Sequence, residues 1–208
     1  MCNTFIPYTA CESSRAMRVA IVTEYWKESP GGGIKVFLAN LVEELQARAV
    51  DVRVLFRVGS DPEQIGLPVN PKLFALKAFL TLHRVQPDVI HVHGADGHTL
   101  FPAIVHKKTS GCRVVQTFHT EPETPLSPRF RFFYQRLLDN CDAVTFVSHR
   151  LKERVGEVWG LKHPNPQITY AGAPRSVSFS DGEVRKFVTR FGIGGRSPVL
   201  LALGLTAL

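Results

Sequence analysis

Apolar runs and amphipathic runs alternate along this chain. Short blocks such as Val19-Ala20-Ile21-Val22, Val52-Arg53-Val54-Leu55-Phe56 and Val114-Val115-Gln116-Thr117-Phe118 are separated by stretches in which apolar residues recur every third or fourth position. The blocks have strand length and the stretches have helical period, the rhythm of βαβ units with a parallel sheet. Strands are predicted over 17–22, 52–56, 89–92, 113–118, 143–147 and 167–169. The first helix, 34–47, places Ile34, Phe37, Leu38, Leu41 and Leu45 on one stripe, with Lys35, Glu43, Glu44 and Arg48 opposite. Asn70-Pro71 supplies an N-cap and a first-turn proline for a helix ending near Val85, and Gly111 stops a helix that carries Leu100–Ile104. Phe130, Phe133, Tyr134, Leu137, Leu138 and Cys141 share a helical spacing over 129–141 and are read as a core stripe. Ser148 is placed as the N-cap of a short helix over 149–158. The fold class expected is therefore α/β, a Rossmann-like open parallel sheet with helices on both faces.

The pattern changes at both ends. Residues 1–16 carry no periodic run and are expected to form a disordered tail, so the main domain spans 17–171. Residues 172–182 are rich in glycine, proline and serine and read as a linker. The segment 183–208 reads as a short helix, 183–191, and an apolar strand, 198–208, the truncated start of a second domain.

Composition narrows the classes. The 208 residues can hold one sizeable core. A formal charge of +7 suits anionic partners, but the cations are spread over several helices, so charge alone selects none. Basic residues near Arg129–Arg136 permit contact with an anionic membrane surface; the aromatic residues beside them are read as core, not as a nucleic-acid platform, and no nucleic-acid partner is expected. The cysteines Cys2, Cys11, Cys112 and Cys141 have no CxxC spacing and read as reduced cytosolic thiols. There is neither an apolar run of spanning length nor a secretory pattern at the start. A cytoplasmic protein is expected, with room for peripheral contact at the inner membrane face.

Candidate chemistry gathers where strands end, because open parallel sheets bind ligands at their carboxyl edge. After the first strand, a loop runs from Thr23 to Gly31, Gly32 and Gly33 before the helix that carries Lys35. Glycine lets backbone N–H groups approach an anion, and the helix start adds partial positive charge. His91 and His93 end the third strand, His119 and Glu121 follow the fourth, and Ser148 follows the fifth. Three motif readings fail on spacing. Contiguous glycines are not the G-x-G-x-x-G of dinucleotide folds, and strand two closes on Arg57 where an acidic residue is usual. No P-loop frame is present. His91, His93 and His98 invite a metallohydrolase reading, yet they sit off the His-x-His-x-Asp-His spacing of metallo-β-lactamase-like hydrolases.

The segments 17–26 and 31–45, the blocks Pro87–His93, Val114–His119 and Cys141–Ser148, and the run Arg185–Ile193 together resemble retaining glycosyltransferases of the GT-B fold. The resemblance covers 17–208 and implies the N-terminal, acceptor-side domain of an enzyme that moves a sugar from a nucleotide-sugar to an acceptor. It implies His119 as the catalytic residue, contacting the transferred sugar. Gly31, Gly32, Gly33, Lys35, His93, Glu121 and Ser148 become donor-phosphate or acceptor ligands. Neither metal nor cofactor is implied; the nucleotide-sugar is a co-substrate, and the acceptor is a sugar or a lipid-linked sugar. Two blocks depart from the family: Leu205 stands where an arginine is expected, and Tyr170-Ala171-Gly172 where Pro-Asn-Gly is usual. The family's nucleotide-binding residues lie beyond Leu208, so the chain alone is expected to be inactive. Two alternatives are an interaction module that forms a homodimer by pairing its 198–208 strand, and the metallohydrolase.

Overall fold

In a computed structural model, residues 15–30, 32–170 and 179–194 are described. They fall into two compact units dividing after Gly172. The first is built on a seven-stranded, wholly parallel sheet: β1 (Arg18–Tyr25), β2 (Asp51–Val58), β3 (Ile65–Gly66), β4 (Val89–His93), β5 (Arg113–Phe118), β6 (Ala143–Phe146) and β7 (Pro166–Ile168), in the order β3-β2-β1-β4-β5-β6-β7. The order reverses between β1 and β4, which fixes the crevice where such sheets take ligands.

The helices are α1 (Gly33–Ala47), α2 (Pro71–Val85), α3 (Gly97–Ser110), α4 (Pro128–Leu138) and α5 (His149–Arg154), the last continuing as a π-helical turn over Val155–Trp159. Alternation along the strands sorts the interior into two cores. Val19 and Ile21 of β1 join Val54 and Phe56 of β2 against Leu38 and Val42 of α1. Ala20, Val22, Ile90 and Val92 face the other way, onto Phe74 and Leu82 of α2, Leu100 and Ile104 of α3, and Leu137 and Leu138 of α4. Both faces of β1 and β4 are thus covered, as their unbroken apolar runs require.

Caps follow the sequence closely. The Asn70 side chain accepts from the Leu73 N–H at 3.0 Å, with Pro71 in the first turn, and the Ser148 hydroxyl accepts from the Leu151 N–H at 3.1 Å. Four readings change. β1 continues to Tyr25, because Trp26 N–H bonds the Val58 carbonyl at 2.9 Å and keeps the chain paired to β2. The two-residue strand β3 appears beyond β2. The segment after Ser148 is helical only in part before its π turn. Finally, the aromatic stripe of α4 is not all core: Tyr134 is buried, but Phe130 and Phe133 remain 38% and 40% exposed.

In the second unit α6 (Asp181–Phe191) opens with a capping box between Ser180 and Glu183, two residues before the expected start. The expected strand 198–208, and with it the dimer reading, lies outside the described residues, as do residues 1–14 and Gly31.

Candidate functional site

Three groups of side chains converge at the carboxyl ends of β1, β4 and β5. The first is an ion-pair cluster. Tyr25 pairs with Val58 in the β1–β2 register, so Glu24 and Arg57 stand side by side at the ends of neighbouring strands. Arg57 donates through Nε and Nη2 to Glu24 Oε1, while His98, in the first turn of α3, meets Glu24 Oε2 at 2.7 Å. Burial alone would raise the Glu24 carboxyl; the hydrogen bonds and charges of His98 and Arg57 outweigh it and hold the group down at about 2. Asp96 lies beside them, exposed, with a carboxylate oxygen within 4.8 Å of the Glu24 and His98 ligand atoms.

The second group is a file of imidazoles on the opposite face of the sheet. The rings of His91 and His93 are 4.0 Å apart, and His93 Nδ1 is 2.9 Å from His119 Nε2. His91 Nε2 is hydrogen-bonded to Thr117 Oγ1 at 2.7 Å, and that hydroxyl to Thr145 Oγ1 at 2.6 Å. Phe37 of α1 sets its edge against the His119 ring at 4.9 Å. Burial pushes His91 and His119 down to about 4 and His93 well below its ordinary value, so all three rings are neutral near pH 7. His93 Nε2 is buried without a partner among the described residues.

The third group is the loop from β1 to α1, pinned to the segment that follows β2. Trp26 Nε1 donates to Asp61 at 2.9 Å, Lys27 pairs with the same carboxylate at 3.1 Å, and Ser60 N–H bonds the Lys27 carbonyl. Gly59, at φ +135°, permits this approach, since a Cβ there would sit 2.6 Å from that carbonyl. Beyond the pinned segment, Gly32 and Gly33 open α1 with no side-chain cap and open space where a Cβ would project. The first-turn N–H groups are therefore presented rather than covered.

Between the groups lies a cleft of about 490 Å³ whose walls include Glu24, Gly32, His93, Asp96, Glu121 and Trp159. Of the residues expected from sequence, Gly32, His93 and Glu121 line it. Glu121 is paired with Arg150 at 2.9 Å. Lys35 turns instead to the Ser29 carbonyl at 2.6 Å and clasps the loop, Ser148 spends its oxygen on the α5 cap, and His119 reaches the cleft through His93. Gly33 stands at the first helical position beside them.

The metallohydrolase arrangement is corrected. His91 is bonded to Thr117, His93 to His119 and His98 to Glu24, so the three imidazoles do not converge. Among the described residues the one candidate group is Glu24, Asp96 and His98, where the Arg57 guanidinium already supplies the positive charge. Arg57, which closes β2 where dinucleotide folds usually carry an acidic residue, is committed to Glu24. Strand alternation across β1 and β2 is the signal that could have paired these two. No helix among the described residues is long and apolar enough to cross a membrane.

Comparison with known proteins agrees with this architecture. No curated protein matches the sequence. Among solved structures, the chain superposes on a glycosyltransferase from Rickettsia africae with a TM-score of 0.66 at 11% identity, covering 89% of this chain and 52% of that one. HepE of Anabaena, solved in complex with UDP-glucose, gives 0.59 at 14% identity, with coverages of 86% and 50%. An alpha-glucosyltransferase in complex with UDP-glucose and DNA containing an abasic site gives 0.54 at 14%, with 81% and 47%. The chain thus spans about half the length of these structures, and the shared part is the Rossmann-like N-terminal half of a GT-B fold. Residues 31–174, well over half of the chain, match the family description Glycosyltransferase Family 4. From the crevice at the β1–β4 switch to that family match, the findings agree, and this chain belongs to glycosyltransferase family 4.

Proposed function

We propose that the chain forms the acceptor-side wall of a retaining glycosyltransferase that takes a sugar from a nucleotide-sugar. The observation that carries the reading is the juxtaposition at one sheet edge of the uncapped α1 start and the neutral His93–His119 pair. A helix start with presented N–H groups favours a phosphate. A buried neutral imidazole can hydrogen-bond a sugar hydroxyl and so hold the transferred sugar in the orientation the reaction needs. His119 is assigned to that contact, and Gly31, Gly32 and Gly33 to the donor phosphates. Glu121 and Asp96, both in the cleft wall, are assigned to acceptor hydroxyls. HepE and the alpha-glucosyltransferase were solved with UDP-glucose, which supports a nucleotide-sugar as donor class here. The reaction so drawn needs no metal.

Transfer on this reading needs a second, nucleotide-binding wall, and this chain covers only about half of each of those structures. The 208-residue chain alone is expected neither to transfer nor to hydrolyse UDP-glucose. Joined to such a wall it should turn over, and His119→Ala should then lower kcat about 100-fold or more while the fold persists. Robust turnover by the isolated chain, or an unchanged kcat in the joined variant, overturns the assignment.

A further inference from the structure

Helices α2, α3 and α4 pack side by side over one face of the sheet, in a layer that α5 continues, and the composition of these three is one-sided. They contain eight lysines and arginines and no aspartate or glutamate. By contrast, α1 on the other face carries Glu43 and Glu44. Of the eight cations, only Lys107 has an ion-pair partner among the described residues, Asp142 at 2.7 Å. Among the described residues, half of the large apolar side chains left exposed also lie on these three helices. Leu76 and Leu80 of α2 are 54% and 47% exposed, Phe101 of α3 is 43%, and Phe132 of α4 is 64%.

Helical spacing puts the two kinds of side chain on one surface. On α2, Leu73, Leu76, Lys77, Leu80 and Arg84 follow each other at intervals of three, one, three and four, opposite the buried Phe74, Ala78 and Leu82. On α4 the Arg136 guanidinium lies 5.1 Å from the Phe132 ring centre, so the cation and the aromatic ring point outward together. Phe133 of α4 stacks toward Phe101 of α3 at 6.1 Å and joins the two helices into one patch.

We infer that this face seats the protein on an anionic lipid bilayer. Long basic side chains can reach the phosphates of the headgroups while leucine and phenylalanine enter the interfacial layer. A single-stranded nucleic acid would call for aromatic stacking beside the phosphate contacts, whereas the exposed apolar residues of α2 are leucines. A groove of about 710 Å³ runs from Asp96 and His98 along Lys72, Ala75, Phe101 and Phe133 to this same surface. Resting on the transferase reading above, it gives an acceptor with a lipid tail and a polar head a route from the bilayer to the cleft.

Vesicle flotation of the 208-residue chain tests the docking without any turnover, so its failure is separate from a failure of the transferase reading. The protein should float with phosphatidylcholine–phosphatidylglycerol vesicles, stay behind with pure phosphatidylcholine, and release as salt is raised. Lys77→Gln, Arg129→Gln and Arg136→Gln should each weaken the partition about fivefold. The exposed pair Leu76→Ser and Phe132→Ser should weaken it while keeping its salt dependence. Arg48→Gln, which removes charge at the end of α1 on the other face, should change it little. Three results overturn the inference: no flotation at low salt, equal effects of the face and control substitutions, or binding to single-stranded nucleic acid with vesicles ignored. Self-association by light scattering that the serine pair abolishes, without vesicle binding, would assign the face to a second copy of the chain and overturn it as well.

Discussion

Replacing Glu24 by glutamine should destabilise the domain at neutral pH, and the penalty should fade in acid. The wild-type carboxylate holds Arg57 and His98 at the end of β1, and its group is lowered from 4.5 to about 2. Each unit is ~1.4 kcal/mol, so the shift corresponds to about 3 kcal/mol. Water reaches the Arg57 side chain, which is 27% exposed, and that screening reduces the expected effect to about 2 kcal/mol. Because the folded value is depressed, the contribution is complete above the unfolded value and is lost as pH falls toward the folded one. Urea unfolding of wild type and Glu24→Gln, compared at neutral pH and at successive steps below 4.5, measures this directly. The difference should stay near about 2 kcal/mol at neutral pH and shrink by more than about half on approaching pH 3. A gap independent of pH, or one below about 0.5 kcal/mol throughout, would show that the cluster is not coupled as its geometry demands.

Other expectations follow from single side chains. His106 is fully buried between α2 and α3 with neither ring nitrogen partnered among the described residues, so His106→Leu should raise stability by about 1 kcal/mol in urea; a lower midpoint would refute this. Tyr134 likewise buries an unpartnered hydroxyl, and Tyr134→Phe should leave the unfolding midpoint unchanged or higher. Ser148→Ala removes the α5 cap and should cost about 1 kcal/mol, a loss that Ser148→Asp largely restores. His91 and His119 are lowered from 6.5 to about 4, so the unfolded chain binds protons in that window that the folded chain refuses. Thermal stability should therefore fall from pH 7 toward pH 4, and NMR resonances of these rings titrating near 6.5 would contradict their burial.

The strands of the sheet were legible because buried parallel strands are written as continuous apolar runs; Val19–Val22 and Val114–Phe118 leave little choice. Asn70 and Ser148 were legible for a local reason, since a cap depends on a residue three positions away. What the sequence hid is non-local. Ile65-Gly66 becomes a strand through the Gln64 side chain, which accepts from the Val54 N–H at 2.7 Å, and through the bond from Leu67 N–H to the Phe56 carbonyl. Two residues have no periodicity to detect. Glu24, Arg57 and His98 become one cluster only once β1 and β2 are in register and α3 starts beside them. The α4 stripe misled because helical spacing shows that Phe130, Phe133 and Tyr134 share a side, not how far the neighbouring helix extends to cover it.

The bond between His93 Nδ1 and His119 Nε2 also fixes where hydrogens sit. Both rings are neutral, so one nitrogen of the pair must donate and the other accept. If His119 donated, His93 would carry its own hydrogen on the enclosed, unpartnered Nε2, and a buried orphan N–H is the costlier fault. His93 is therefore the donor, and His119 is held as the tautomer with hydrogen on Nδ1. A ligand that met His119 at Nδ1 would therefore find a hydrogen-bond donor, not a basic lone pair: such a ring steadies an oxygen and cannot draw a proton from it.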